Sequence, residues 1–171
     1  WGEKREVLND YNDLKIGLQE THAPERIMHV IFKVYDDGLG FRYEFPEQAH
    51  MDTVYIIEEN TEFNLSGDHK TFWIPGDWDI YEHLYRTTPL SGIDATAYRN
   101  HPALGQTYIP NNAVNTPVTM VTESGVHLSF HEANLTDYSG MTLLVDTDNF
   151  ALKSCLVGSE NRDFKVLKTL P

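Results

Sequence analysis

The residues whose types could do chemistry are concentrated in one short segment of the second half of the chain. Residues 127–135 read HLSFHEANL, where His131 and Glu132 resemble the start of the zinc-protease motif H-E-x-x-H. The motif fails because Leu135 stands where it needs its second histidine. The segment is also strand-like, and alternation along a strand places His127, Ser129 and His131 on one face. With no evident third ligand, we expect these imidazoles to be hydrogen-bonded or solvated rather than metal-bound.

Glu132 ends this predicted strand and leads into the polar stretch 134–139. A carboxylate at such a place suits an oxygen-preferring cation such as Ca²⁺. Asn134 and Asp137 lie close along the chain, but their spacing does not match an EF-hand loop. The pattern alone favours the simpler interpretation, in which Glu132 is a surface carboxylate that pins its loop.

A second candidate is the aromatic run FWIPGDWDIY at residues 72–81. Aromatic faces can stack on the C–H face of a sugar while carboxylates accept hydrogen bonds from its hydroxyl groups. Trp73, Asp77 and Trp78 are the candidates for such a site. The alternative, that these aromatic residues close one end of a sandwich core, stays equally open on the sequence alone.

Other catalytic signatures are absent from the sequence. There is no G-x-S-x-G elbow, no phosphate-binding G-x-x-x-x-G-K-[ST] loop and no G-x-G-x-x-G. Glycoside hydrolysis needs two carboxylates flanking the bond, and no spacing singles out such a pair. The residues by themselves favour a β-sandwich with a connection to sugars or calcium.

The elements that must position these residues are strands, because the apolar periodicity is mostly two. Residues 13–19 alternate and predict a half-buried strand. Residues 26–35 and 39–45 flank the turn 36–38 and predict a hairpin with a more buried first strand. Further strands are predicted at 53–58, within 63–73 and at 164–167, and further hairpins at 118–123 with 126–131 and at 140–146 with 150–157.

Residues 74–117 break this pattern. Six of the eight prolines lie within 46–117, and the alternation there is weak. We expect a long irregular excursion with a helical turn at 79–85. Long loops of this kind are usually functional or cover a sheet edge.

Composition and charge exclude several classes of function and of binding partner. The chain has 171 residues, which predicts a single domain over 1–171, and a formal net charge of −13. Such acidity disfavours nucleic acids and anionic membrane surfaces as partners. There is no apolar run long enough for a transmembrane segment, and no stretch of these residues is expected to be a signal peptide. Cys155 is the only cysteine, which excludes an internal disulfide and predicts a buried, inert thiol.

Three stretches together resemble the N-terminal domain of family 97 glycoside hydrolases, the bacterial α-glucosidases and α-galactosidases. They read VYDDGLGFRYEF at 34–45, FWIPGD at 72–77 and HEANLTDYSGM at 131–141, and the opening WGE also fits. The resemblance spans nearly the whole chain. It implies an all-β fold, an antiparallel super-sandwich similar to galactose mutarotase. It also implies further strands before Trp1 and after Pro171, so that the sandwich is truncated at both ends.

The resemblance implies a role as well. In the full enzymes this domain precedes a catalytic (β/α)₈ barrel that acts on α-linked oligosaccharides, and its glutamate in the His-Glu-Ala segment helps to hold an active-site Ca²⁺. That role maps onto Glu132 and reverses the simpler interpretation of this residue. His131, Asp77 and Trp78 are the expected substrate-binding residues, and a periplasmic or secreted location is expected from the family.

We therefore expect a non-catalytic sandwich of an exo-acting α-glycosidase. It would support the barrel, bind Ca²⁺ weakly or not at all without it, and have no hydrolase activity alone. The alternatives are a stand-alone carbohydrate-binding β-sandwich module and a purely structural sandwich whose 74–117 excursion docks another domain.

Overall fold

The computed structural model describes residues 2–49, 51–99, 102, 103, 105, 107–158 and 164–169. Its elements are nearly all strands, which confirms the all-β prediction. The described residues form two compact units, one built from residues 1–54 with 168–171 and one from residues 55–167. The prediction that residues 1–171 form a single domain stays a prediction. Within the described residues, no helix is long and apolar enough to cross a membrane.

Unit 1 contains a three-stranded antiparallel sheet of order β1–β2–β3. Its strands are β1 (Asn12–Gln19), β2 (Ile27–Tyr35) and β3 (Gly38–Glu44). The hairpin predicted around residues 36–38 is confirmed, with Tyr35 paired to Gly38. A separate two-stranded sheet pairs β4 (Thr53–Ile56) with β13 (Val166–Thr169).

The two faces of the unit 1 sheet differ sharply in chemistry. Directly paired residues share a face, and the register places apolar side chains on one face in every paired row, with the polar Asn12 beside Val34 at its edge. We call this the β1–β3 apolar face; its members are Leu14, Ile16, Leu18, Met28, Val30, Phe32, Val34, Leu39, Phe41 and Tyr43.

The opposite face is mainly polar, and its charged side chains converge on one carboxylate. Glu44 accepts hydrogen bonds from Lys15 Nζ (2.8 Å) and Arg42 Nη2 (3.0 Å), and its Oε1 lies 3.1 Å from His29 Nδ1. These contacts join β1, β2 and β3. The hydrogen bond from Lys15, followed by that of His29, lowers the pKa of Glu44 to about 2.

The prediction that β1 is half-buried is wrong. The strand is present, but all eight of its residues are exposed, including Leu14, Ile16 and Leu18. Alternation correctly gave the strand and its apolar face. It could not show whether another layer covers that face.

Unit 2 is a sandwich of two four-stranded sheets. One has the order β10–β9–β6–β7 and the other β5–β12–β11–β8. The strands of the first are β6 (Lys70–Trp73), β7 (Arg86–Pro89), β9 (Val118–Val121) and β10 (His127–Phe130). Those of the second are β5 (Glu62–Asn64), β8 (Ala113–Asn115), β11 (Met141–Asp146) and β12 (Ala151–Leu156).

The core of unit 2 takes side chains from both sheets. Trp73 and Met120 of the first sheet and Leu143 and Leu152 of the second belong to one cluster, and all four are fully buried. Phe63 and Phe130 also meet across the sheets, with ring centroids 4.8 Å apart. Burying a large apolar side chain stabilises the fold by about 1.5–3 kcal/mol, so these contacts hold the sandwich together. Cys155, on β12, is only partly buried.

The 74–117 excursion is more ordered than expected. It contains β7, β8 and two short 3₁₀-helices, Leu90–Gly92 and Ala95–Tyr98. The helical turn predicted at 79–85 is wrong, since these residues form bends and irregular backbone before β7 begins. The N–H groups of Asp79 and Ile80 donate to the carboxylate of Asp77, as they would at a helix start, but the carbonyl oxygen of Ile80 accepts a hydrogen bond from Asn115 Nδ2.

Candidate functional site

The candidate site lies in the connection between β10 and β11, residues 131–140. His131 is exposed directly after β10, and Glu132 beside it is half-buried. Glu132 Oε2 accepts a hydrogen bond from the Met141 N–H at 3.1 Å, where β11 begins. This bond joins the two ends of the connection, so Glu132 is held at the base of the loop rather than extending freely into solvent.

The far part of the loop is held by a second glutamate, Glu59. Tyr138 donates its hydroxyl hydrogen to Glu59 Oε2 (2.9 Å), and Thr61 donates to Glu59 Oε1 (2.7 Å). Asp137 has a φ of +49°, a left-handed conformation that aspartate tolerates better than most residues. The bend at Asp137 precedes Tyr138 directly, so the backbone changes direction next to the residue that reaches Glu59.

Burial raises the pKa of the Glu132 carboxyl group, and the nearby negative charge of Glu59 raises it further. The hydrogen bond from Met141 lowers it and only partly compensates. No ion pair joins Glu132 or Glu59 to a lysine or arginine of the described chain. The two carboxylates therefore form a like-charge pair that a cation would relieve.

Sequence reasoning missed both Glu59 and Tyr138. Glu59 is 73 positions before Glu132 along the chain, and no motif connects the two. Tyr138 was part of a recognised stretch, but its aromatic ring gave no indication that its hydroxyl group would hold a second carboxylate.

Asp77 and Trp78 lie elsewhere, in the loop after β6. Asp77 is 2% exposed, and its Oδ1 accepts hydrogen bonds from the N–H groups of Asp79 (3.0 Å) and Ile80 (3.2 Å). Thr107 donates through its hydroxyl to Oδ1 (2.9 Å) and through its N–H to Oδ2 (3.1 Å). Within the described residues, no hydrogen bond or ion pair joins this group to Glu132.

The pKa of Asp77 indicates a carboxylate whose hydrogen bonds stabilise its loop. Burial alone raises its pKa, but the hydrogen bonds from Asp79, Thr107 and Ile80 outweigh burial, and the pKa lies below its ordinary value. The ring of Trp73 is fully buried, with its Nε1–H donating to Thr88 Oγ1 at 3.0 Å. The structure therefore uses Asp77 and Trp73 to organise the loop and the core.

The carboxylate pair predicts an unusual stability effect. We expect Glu132→Gln to raise the unfolding free energy of the 171-residue chain at pH 7 by up to about 1 kcal/mol, since the group is partly exposed. Glutamine can still accept the Met141 N–H, while the charge repelled by Glu59 is gone.

The sign of the pH dependence follows from the raised pKa. The unfavourable contribution of Glu132 is present above its folded-state pKa and absent below its unfolded-state pKa of about 4.3. Thermal unfolding at pH 7 and pH 3.5 should show the gain only at pH 7. Glu123→Gln, at the exposed turn between β9 and β10, is the matched control. A Glu132→Gln chain that is destabilised at pH 7 would contradict the prediction.

Comparison with known proteins assigns the chain to a family. The family model described as "Glycosyl-hydrolase 97 N-terminal" matches residues 1–165. The chain belongs to glycoside hydrolase family 97. The recognised opening stretch WGE includes Trp1, which lies outside the described residues, whereas the three longer stretches lie within them.

Solved structures agree with this assignment. A family 97 enzyme from Pseudoalteromonas sp. strain K8, solved in complex with acarbose and, as a variant, with panose, is 31% identical to the chain with a TM-score of 0.80. The match covers 99% of this chain and 23% of that enzyme. A β-arabinopyranosidase shares the fold at 17% identity and a TM-score of 0.67, over 96% of this chain and 30% of that one. The chain thus spans about a quarter of the length of its family 97 relative.

Proposed function

We propose that this family 97 chain is the non-catalytic N-terminal sandwich of an exo-acting α-glycosidase, an α-glucosidase or α-galactosidase. In this proposal a catalytic (β/α)₈ barrel of the same polypeptide cleaves an α-linked oligosaccharide, while the sandwich supports the barrel and supplies Glu132 to its calcium site. Family membership and the greater length of the Pseudoalteromonas enzyme support the first part. The acarbose and panose complexes of that enzyme support the choice of substrate class.

The observation that carries the calcium role is the half-buried Glu132 carboxylate beside Glu59. Carboxylate oxygens are the ligands that Ca²⁺ prefers, but Ca²⁺ takes six to eight of them. Among the described residues, no group of three or more His, Cys, Asp or Glu side chains is arranged to hold a metal. The donor type fits Ca²⁺ and the donor number does not, so Glu132 is proposed as one ligand of a site completed outside this chain.

The chemistry of the proposed site follows from its charges. Bound Ca²⁺ would supply positive charge that orients and polarises the sugar. The part of this chain is to hold Glu132 in place through the Met141 N–H. Glu59, itself held by Tyr138 and Thr61, adds negative potential that favours a cation over an empty site.

The experiment titrates calcium into the full-length protein that carries this chain. Binding is measured by calorimetry, and activity is measured as turnover of an aryl α-glycoside. We expect Glu132→Gln to weaken calcium binding by at least about 10- to 100-fold, the range for residues that only orient a metal ligand, because Glu132 is itself a proposed ligand. Glu123→Gln should bind Ca²⁺ as the unsubstituted protein does. Equal calcium affinity in the Glu132→Gln protein would remove Glu132 from the site.

The 171-residue chain alone is expected to be inactive on the same substrate, because the barrel would hold the catalytic groups. Turnover by this chain above that of its Glu132→Ala variant would contradict the assignment. The alternative function, a stand-alone carbohydrate-binding module, predicts millimolar or tighter binding of maltose, galactose or longer oligosaccharides by the isolated chain. Trp78, which is half-buried, is the aromatic residue of the 73–78 segment that this alternative would use.

We also propose that His131, Asp77 and Trp78 contribute to substrate binding, and a different structural observation supports each role. His131 is exposed and adjacent to Glu132, which supports a role for it in binding a sugar at the proposed calcium site. Asp77 would act indirectly, by shaping the loop that presents Trp78. A periplasmic or secreted location is part of the same proposal and rests on the family alone.

A further inference from the structure

The 131–140 loop that carries Glu132 is held at its base and again at its far part. At the base, the Met141 N–H donates to Glu132 Oε2 at 3.1 Å. At the far part, the Tyr138 hydroxyl donates to Glu59 Oε2 at 2.9 Å, a contact between residues 79 positions apart. The position of Glu132 therefore depends on a residue that lies far outside the loop and its flanking strands.

Glu59 itself belongs to a segment that is fixed to the second sheet of the sandwich. Thr61 is 8% exposed, and its carbonyl oxygen accepts a hydrogen bond from the Ser154 N–H of β12 at 2.8 Å. The Thr61 hydroxyl in turn donates to Glu59 Oε1 at 2.7 Å. Glu59 is thus tied to the sheet through Thr61, and Tyr138 ties the loop to Glu59.

A carboxylate is an unfavourable choice for this anchor unless a cation is nearby. Glu59 lies near enough to Glu132 for its negative charge to raise the pKa of the Glu132 carboxyl group. The adjacent Glu58 has Lys153 Nζ at 3.3 Å, whereas among the described residues Glu59 is held by hydroxyl groups. A neutral acceptor would hold Tyr138 without the repulsion between the two carboxylates.

We propose that Tyr138 and Glu59 are positioning residues for Glu132, and that their hydrogen bond holds the 131–140 loop with the Glu132 carboxylate in place before a cation binds. The inference rests on the proposed calcium function and adds what keeps that ligand ready. Groups that orient a metal ligand typically contribute about 10- to 100-fold to metal affinity. A loop that lacked this anchor would have to become ordered on binding, which costs conformational entropy.

The first measurement is made without calcium. The Met141 N–H reports the position of Glu132, because the carboxylate is its hydrogen-bond acceptor. In the 171-residue chain with a chelator present, we expect Tyr138→Phe to speed the hydrogen exchange of this amide at least about tenfold, since the bond opens with the loop. The Ser154 N–H, bonded to the Thr61 carbonyl oxygen, should exchange as before, which separates a local release from loss of the fold.

Glu59→Gln is the variant that keeps the contact. Its amide group can pair with both hydroxyl partners, because a hydroxyl group can donate or accept, so Met141 should exchange as in the unsubstituted chain. Tyr35→Phe is the matched control, since that hydroxyl donates to Asn9 Oδ1 in unit 1 at 3.1 Å. Glu59→Ala, which removes the acceptor, is the second variant should Tyr138→Phe prevent folding. Unchanged Met141 exchange in a folded variant without the contact would overturn the proposal, and so would equally fast exchange in Tyr35→Phe.

The second measurement titrates calcium into the full-length protein that carries this chain. We expect Tyr138→Phe to weaken calcium binding by about tenfold, with Glu132→Gln measured in the same series. Weaker binding in Glu132→Gln with unchanged binding in Tyr138→Phe would overturn the positioning role and leave the calcium role of Glu132 standing. Unchanged binding in both variants would overturn both proposals.

Discussion

Replacing Asp77 with asparagine is expected to cost about 2–4 kcal/mol of unfolding free energy, the range for a buried charged group that loses its hydrogen-bond network. The carboxylate accepts four hydrogen bonds, two of them from Thr107 and the others from the N–H groups of Asp79 and Ile80. All four contacting groups donate: three backbone N–H groups and the Thr107 hydroxyl. An asparagine would place its NH₂ group against at least one of them, leaving that donor buried and unsatisfied.

The consequence is measurable by heat or denaturant. For a chain of this size we expect the melting temperature to fall by about 5–15 °C at pH 7. The pKa of Asp77 is lowered by folding, so its contribution is fully present above the unfolded-state value of about 3.9 and is lost as the pH falls through the folded-state value. The gap between the two proteins should therefore narrow on acidification.

Asp79→Asn is the matched control for this prediction. Asp79 is exposed, and in the Asp77 network it contributes only its backbone N–H. We expect its substitution to change stability by less than about 0.5 kcal/mol. A loss below about 1 kcal/mol for Asp77→Asn would mean that the loop has another support.

The second large effect is expected at Gly76, immediately before Asp77. An added Cβ would lie 2.9 Å from Ile109 Cδ1 and 3.0 Å from both the Cβ and the carbonyl oxygen of Ala113. The Gly76 N–H also donates to that same carbonyl oxygen at 2.7 Å. The backbone of Ala113 therefore cannot move away without lengthening this bond.

Gly76→Ala should accordingly destabilise the chain by about 1–3 kcal/mol, the cost of overpacking a buried site. Chemical denaturation of the variant would show a lower midpoint with an unchanged slope. Gly40→Ala, where a Cβ meets nothing within 4 Å, is the control and should leave the midpoint nearly unchanged. If the two variants unfold alike, the close approach at Gly76 is relieved by a movement that the structure does not show.

The hairpins were predictable because their information is local. Alternating side chains and turn residues such as Ser124 and Gly125 predict the pairing of β9 with β10 without knowledge of any other part of the chain. The same holds for β11 with β12. Family resemblance then extended these local elements to an all-β sandwich, which the structure confirms.

The wrong or missing predictions concern features that depend on contacts between residues far apart in the sequence. The helical turn at 79–85 was wrong because the backbone carbonyl of Ile80, which a helix would pair with residue 84, accepts a hydrogen bond from Asn115 Nδ2, 35 positions away. The burial of β1 was wrong because alternation describes a face and not its cover. Glu59 could not be found beside Glu132 because their proximity depends on strands far apart in sequence. The functional roles of both glutamates stay predictions.

The convergence of Lys15, His29 and Arg42 on Glu44 has a consequence for how the protein responds to ionic strength. The chain carries a net charge of −13, so added salt screens repulsion among most of its charges, including that between Glu59 and Glu132. On the polar face of β1–β3 the same salt screens attraction instead. Salt therefore acts in opposite directions on these two groups of charges, and a nearly flat overall salt response would conceal two effects that cancel.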